Sequence, residues 1–498
     1  MADQSTKKRI EERKNKVRGW LSNRYNLSFI GILIVSFIIR LYYFNLTKNQ
    51  PLWWDELVFG ALAKNMIHNS WNDILQFEQS IRPLFFSFVW SILMRFNIDY
   101  IAVRFLLEFV PSVLAVVFVY LVGKKMYGEK VALVASFIMC LSWIHIFYTL
   151  RMLTSIPSIL FALLSFYYFF KDDHDLTVKN FGLAIFFLSL AILIRYNFFI
   201  IAPVYLILLL INYRLSFFKS KAFWVGGIIG ILPILLLMFY NLNLHGQLFP
   251  AAGIYAESGQ DKPGPAWYTL DFIPHILKGV FTIFFIIGLG YLLWETIIGA
   301  DLIKRKKELQ YNLFLILVLL LNVFYLIFII KYSEDRYFFE TILSLVLMTS
   351  IGINKAYLLL KKYHIKLAMV VVILILAMGA YQQIKFGDTM IKYRMNSDNY
   401  LNDAFKWVKE NTMEEATIYG EGIYPYSLYH ADKVPISNSS YLMVNDSIDY
   451  LVFHRFSRQS EEFASYLNSE KGQNMSVVYA SFFDAANKEP AVIILKTK

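Results

Sequence analysis

Long, nearly uninterrupted apolar blocks recur along this 498-residue chain and limit what it can fold into more than any other feature. Blocks of about 17–23 residues are long enough to cross a bilayer core as helices, which pair their own backbone N–H and C=O groups. One such block would fit a signal peptide; about a dozen cannot. The spans are expected near 27–44, 83–97, 131–147, 153–170, 181–195, 197–212, 223–241, 276–298, 312–330, 338–354 and 367–384. Charged residues make up 17% of the chain, against roughly 25% in an average soluble domain. Its 44 Phe and 33 Tyr suit lipid-facing helices and interfacial aromatic belts.

The net charge of +11 does not point to nucleic acid, because the Lys and Arg residues gather in short loops between apolar blocks. That is the signature of positive-inside topology. The block 98–123 reads either as one long helix or as two short passes broken at Pro111. Two passes put Lys124/Lys125/Lys130, Arg214/Lys219/Lys221, Lys304–Lys307 and Lys355/Lys361/Lys362/Lys366 all on the cytoplasmic side. The expectation is therefore a polytopic α-helical membrane protein of about 13 transmembrane helices, with the N-terminus inside and the C-terminus outside.

Three regions follow: a basic cytoplasmic tail (1–24), a transmembrane domain (25–385) and a small extracytoplasmic α/β domain (386–498). The outer face receives the loop 45–82, the turns 148–153, 195–197 and 331–337, and the long loop 242–275. Beyond about residue 385, a helical pattern around Asp403–Glu410 precedes strand-like runs at Thr417–Tyr419, Tyr450–Phe453, Val477–Phe483 and Ala491–Lys496. The single cysteine, Cys140, lies within an apolar block and rules out an intramolecular disulfide. No internal repeat supports an inverted-repeat transporter.

Candidate chemistry lies on the outer face. Asp55 and Glu56 close the run Pro51-Leu-Trp-Trp-Asp-Glu56. A carboxylate at that low-dielectric boundary suits a general base, while Asp55 also suits the N-cap of the helix that follows. Arg82, Arg151, Arg195 and Arg336 stand at outer helix ends. Each alone reads as an interfacial anchor; four together read as a phosphate grip, because guanidinium pairs with phosphate through two parallel hydrogen bonds. Arg336 lies in Ser333-Glu-Asp-Arg-Tyr337, whose acidic residues either neutralise or orient it. His245, Tyr255 and His275 lie in the 242–275 loop, which reads as a substrate lid or as plain loop. A divalent metal on Asp55 and Glu78 would suit phosphate chemistry, although no HxxxH or HExxH spacing supports it.

Taken in order, several motifs form a series: Trp54-Asp55-Glu56; Arg82-Pro83-Leu84; Tyr148-Thr-Leu-Arg151 running to Pro157; Ala191-Ile-Leu-Ile-Arg195; and Glu334-Asp-Arg-Tyr337. The series resembles the GT-C class of membrane glycosyltransferases, in particular the protein O-mannosyltransferases and the lipid A aminoarabinose transferases. The resemblance covers most of 25–385. It implies Asp55 as base or acceptor-orienting group supported by Glu56, and Arg82, Arg336 and Tyr337 on the donor phosphate. One departure stands out: relatives often carry an acid shortly after the Tyr-x-x-Arg turn, where this chain has Ser155. Trp53-Trp54-Asp55 also resembles a string of oligosaccharyltransferases, but theirs lies in the C-terminal domain, so the match reads as coincidence.

The resemblance implies transfer of a monosaccharide from a polyprenyl-phosphate carrier to a protein, lipid or glycan acceptor, within membrane lipid. No nucleotide site is needed, in keeping with the lack of a P-loop or a GxGxxG after a strand. The same arginines would also serve a transporter or flippase for a lipid-linked anion. That reading expects charge at mid-membrane depth, and Arg40 and Glu108 are the two residues to check. A third reading is a receptor or assembly factor acting through the C-terminal domain.

Overall fold

A computed structural model describes residues 11, 18–67, 82–171, 176–248, 264–436, 448–455, 460–482 and 489–497. The chain forms two compact units. One takes in the described residues of Met1–Leu46, Ser80–Phe86 and Tyr100–Ile391; the other takes in those of Thr47–Gln79, Ser87–Asp99 and Lys392–Lys498.

The first unit is helical. Eight helices among the described residues are long and apolar enough to cross a membrane, and Ser155–Phe169 and Val178–Ile194 are shorter apolar helices of the same unit. The 98–123 block does not reverse at Pro111. Helix Tyr100–Arg104, the π-turn Phe105–Phe109 and helix Val110–Leu141 form one run, with Pro111 in the first turn after the π segment. Proline is tolerated there because its missing N–H falls where the i→i−4 ladder is already interrupted. The run breaks instead at Gly128, whose φ of 81° and ψ of 175° are not helical.

Two glycine pairs set how closely the helices approach. A Cβ on Gly288 would lie 1.8 Å from the carbonyl oxygen of Met348, and one on Gly352 would lie 2.0 Å from that of Phe284. Helices Phe272–Ile298 and Ile342–Lys361 therefore meet backbone to backbone. Gly182 and Gly226 do the same between Val178–Ile194 and the segment opening at Ala222. In lipid, where the hydrophobic drive between helices is lost, such small-residue contacts carry the packing.

The second unit corrects one expected span. Helix Phe85–Arg95 has 11 residues, about 16 Å of rise, too short for the ~30 Å core. It packs on helix Trp54–Ile67: Ser87 Oγ donates to the Phe59 carbonyl at 3.0 Å, Arg95 Nη2 donates to Met66 O at 2.9 Å, and the Trp90 ring covers Gly60. The continuous 98–123 run and this short helix are the two places where the structure departs from the expected spans. Helix Asn399–Asn411 and all four expected strands are present. The strands β1 (Ile418–Tyr419), β2 (Tyr450–His454), β3 (Ser476–Phe482) and β4 (Pro490–Lys496) form a sheet of order β1-β2-β4-β3. β1 runs parallel to β2, and β4 pairs antiparallel with β2 and β3. Tyr419, Ile448, Leu451, Phe463 and Tyr466 form the core beneath it.

Candidate active site

In the first unit, segments far apart in sequence converge on Arg195. Helix Val178–Ile194 ends there because Arg195 turns to extended backbone (φ −153°, ψ 108°). Its guanidinium then faces three acceptors. Nε donates to Glu340 Oε1 at 2.7 Å, Nη1 to Ser155 Oγ at 3.1 Å and Nη2 to the Arg336 carbonyl at 3.0 Å. Both members of the Arg195–Glu340 pair are buried. Ser155, the position where the resemblance expects an acid, is thus one of the groups that hold Arg195, and the carboxylate opposite Arg195 comes from Glu340.

The Glu334–Tyr337 tetrad is ordered by its neighbours. Glu334 is extended and leads into the 3-10 turn Asp335–Thr341. Arg336 Nε lies 2.6 Å from Glu334 Oε2, and Tyr332 donates to Glu334 Oε1 at 2.6 Å. Burial, followed by the Glu334 contact, pushes the Tyr332 hydroxyl above its ordinary range, so it remains a donor. Tyr148 donates to Asp335 Oδ1 at 2.7 Å, and Asn322 donates to the Tyr337 carbonyl at 3.0 Å. Both guanidinium carbons, of Arg195 and of Arg336, lie near the Tyr337 ring, 5.3 and 5.7 Å from its centroid. The acidic neighbours therefore divide the work: Glu334 pairs with Arg336, and Asp335 is held by Tyr148.

The structure brings together Arg195, Arg336 and Tyr337 of the residues expected from sequence. Arg151 is buried in the turn between Trp143–Thr149 and Ser155–Phe169, where its N–H donates to the Tyr148 carbonyl at 3.2 Å. Arg82 precedes helix Phe85–Arg95 and is half-buried. His275 lies in the first turn of helix Phe272–Ile298, among Trp143, Phe272 and Phe386, not in a loop. His245 is the last residue of its helix. Tyr255 and Glu78 lie outside the described residues. Among the described residues no group of three or more His, Cys, Asp or Glu side chains is placed to hold a metal.

Sequence reasoning missed Glu340 and Lys278. Each is a lone charge in an apolar run, the signal that an ionisable residue in a membrane helix carries. Lys278 breaks its helix (φ 56°, ψ 155°) and sets Nζ 3.2 Å from the Phe386 ring centroid and 3.4 Å from His275 Nδ1. Asp335 acts electrostatically on both Lys278 and His275. The two mid-chain charges, Arg40 and Glu108, fasten helices together. Arg40 is fully buried and donates to Ser112 Oγ (2.5 Å), Ser36 Oγ (2.7 Å) and the Cys140 carbonyl (3.0 Å), and Glu108 Oε1 accepts from Leu153 N–H at 3.1 Å.

Asp55 and Glu56 belong to the second unit, in the first turn of Trp54–Ile67. The capping role expected for Asp55 falls to Glu56. Its Oε2 accepts the Trp53 N–H at 2.6 Å, the reach-back half of a capping box, and its side chain is fully buried. Asp55, one position earlier, is half-exposed. Burial and then the Glu56 charge push the Tyr429 hydroxyl up to about 12, while burial and Asp398 raise that of Tyr426.

The family model for dolichyl-phosphate-mannose-protein mannosyltransferases matches residues 81–239, under half of the chain. No curated protein matches the sequence. Solved structures match most of it. ArnT from Cupriavidus metallidurans in the apo state aligns with a TM-score of 0.66 at 11% identity, over 94% of this chain and 98% of that one. The fold is that of the GT-C membrane glycosyltransferases. The same GT-C fold relates the chain to ArnT bound to undecaprenyl phosphate (TM-score 0.63, 10% identity, 96% and 98% covered). It also relates it to the Archaeoglobus fulgidus oligosaccharyltransferase AglB in complex with an inhibitory peptide and a dolichol-phosphate (TM-score 0.64, 15% identity, 87% and 70% covered).

Proposed function

We propose that this chain is a membrane glycosyltransferase that moves a monosaccharide, a hexose or a pentose, from a polyprenyl-phosphate carrier to an acceptor at the outer face of the membrane. The observation that carries the proposal is the Arg195–Arg336–Tyr337 cluster, assembled from two distant segments of a GT-C fold. Arg195 offers three donors to protein acceptors and holds the Arg336 backbone, so its part is to position. Arg336 and Arg82 hold the donor phosphate, and Lys278 adds a cation on the Asp335 side.

Asp55 takes the proton from the acceptor nucleophile. The nucleophile attacks the anomeric carbon, the bond from that carbon to the carrier phosphate breaks, and the phosphate leaves with the bonding pair. The configuration inverts. The arginines stabilise charge that builds on the leaving phosphate, which is where preorganised cations lower a barrier most. The N-terminus lies inside and the C-terminal segment outside.

The test is transfer from a synthetic polyprenyl-phosphate sugar by the purified full-length chain in detergent. Release of polyprenyl phosphate that depends on Arg336 and Asp55 supports the reading. Wild-type turnover in both Asp55→Asn and Arg336→Gln would overturn it.

A further inference from the structure

The end of the helical unit away from Arg195 contains a cavity of about 260 Å³ that sugar transfer does not use. Helix direction places it. Ser155–Phe169 begins beside Arg195 and delivers Phe169 to the cavity, while Val178–Ile194 contributes Asn180 near its start and ends at Arg195. Helices of this length separate the two sites by roughly 20–25 Å, most of a bilayer core.

The lining has a definite character. Lys304 and Lys307 bring positive charge, and none of the described lining residues is acidic. Gln310 Nε2 donates to Asn212 Oδ1 at 2.7 Å and to the Ile303 carbonyl at 2.9 Å. This commits the Asn212 oxygen to the protein, so its amide nitrogen is the group it offers a ligand. Tyr168, Phe169, Phe181, Tyr213 and Tyr311 make up much of the remaining wall. A wall that includes two lysines, an amide donor and aromatic faces matches a ligand with a phosphate head and an apolar tail. Basic pockets between transmembrane helices at the cytoplasmic side take lipid head groups in this way.

We propose that this cavity binds the phosphate of an anionic membrane phospholipid. The proposal does not depend on the glycosyltransferase reading. It is tested by titrating the full-length chain, in zwitterionic detergent, with short-chain phosphatidylglycerol, short-chain phosphatidylcholine or inorganic phosphate, and following bound lipid by native mass spectrometry and the melting temperature. Phosphatidylglycerol is expected to saturate one site, and K304Q/K307Q is expected to weaken it about tenfold or more. K304R/K307R should keep the affinity, and K361Q/K362Q, which removes equal charge from residues outside the cavity, should leave it unchanged. Equal binding of phosphatidylcholine, equal loss in K361Q/K362Q, or no loss in K304Q/K307Q would overturn the proposal. Inorganic phosphate binding as tightly as the lipid would reassign the cavity to a soluble anion and overturn the lipid claim.

Discussion

Arg195 and Glu340 lie 2.7 Å apart, both buried, and close a fork that also grips Ser155 and the backbone of Arg336. Removing one partner of a buried pair leaves the other charge uncompensated, whereas removing both leaves none. Glu340→Leu is therefore expected to destabilise the protein by ~3–5 kcal/mol. Arg195→Met/Glu340→Leu should recover a large part of that loss in detergent melting experiments. Additive losses would show that the pair is not coupled.

If Arg195 positions and Arg336 binds, their kinetics separate. Arg336→Gln should raise the donor KM and lower kcat, because it removes charge from the phosphate in ground and transition states alike. Ser155→Ala should lower kcat with little change in donor KM, since it loosens Arg195 and touches no donor. The pair of constants measured on one lipid-linked donor checks both.

Asp55 and Glu56 are adjacent and differ in task. Asp55→Asn is expected to reduce turnover by roughly 10²–10⁴, the usual share of a general base. Glu56→Gln replaces a buried cap and should cost on the order of 1 kcal/mol of stability while keeping more activity than Asp55→Asn. Turnover and melting temperature, read on the same preparations, distinguish the two.

Acid should loosen the second unit. Burial, reinforced by Lys406 and Lys64 against Asp403 and Asp432, lowers the imidazole of His430 to about 4. Burial lowers that of His454 to about 4 as well, against Asp398. Both are neutral when folded, while unfolded histidine takes a proton near 6.5. Their contribution is fully present above pH 6.5 and is lost as pH falls toward 4. Limited proteolysis of the C-terminal segment should therefore speed up between pH 7.5 and pH 5, and less so in His430→Gln.

Gly288→Ala and Gly352→Ala should each impair folding, because the added methyl carbon meets a carbonyl oxygen within about 2 Å, which no rotamer change relieves. Gly290→Ala, two residues along the same helix and with open space around it, should be neutral. Yield of monodisperse protein after membrane extraction reads the contrast.

Most of the helical architecture was legible because a span announces itself by length and hydropathy. The four strands were legible from short β-branched and aromatic runs. Two features misled the span reading. Phe85–Arg95 is as apolar as a span but too short, and its hydrophobic side is taken up by Trp54–Ile67 instead of lipid. Pro111 looked like a break, yet a π-turn ahead of it absorbs the missing hydrogen bond. In the cluster, Arg195 and Arg336 could be singled out as guanidinium groups at helix ends, and Tyr337 came only with the family resemblance. Glu340 could not be linked to Arg195, since the two lie 145 positions apart and only tertiary packing joins them.

The second unit is closed by residues from both ends of the sequence. Lys64 donates to the Tyr429 carbonyl, Asn402 reaches the Leu52 carbonyl, and the Tyr429 ring covers Gly60. During synthesis the helix carrying Asp55 emerges early and soon meets Phe85–Arg95, but the partners from Asn402 and Tyr429 arrive only after the last membrane helix has been made. Its Leu57 and Leu62, fully sheltered in the finished protein, must wait through the translation of more than three hundred residues. A chain cut short after the last membrane helix would leave that helix with only the Phe85–Arg95 side of its cover, so such a fragment reports on assembly as much as on catalysis.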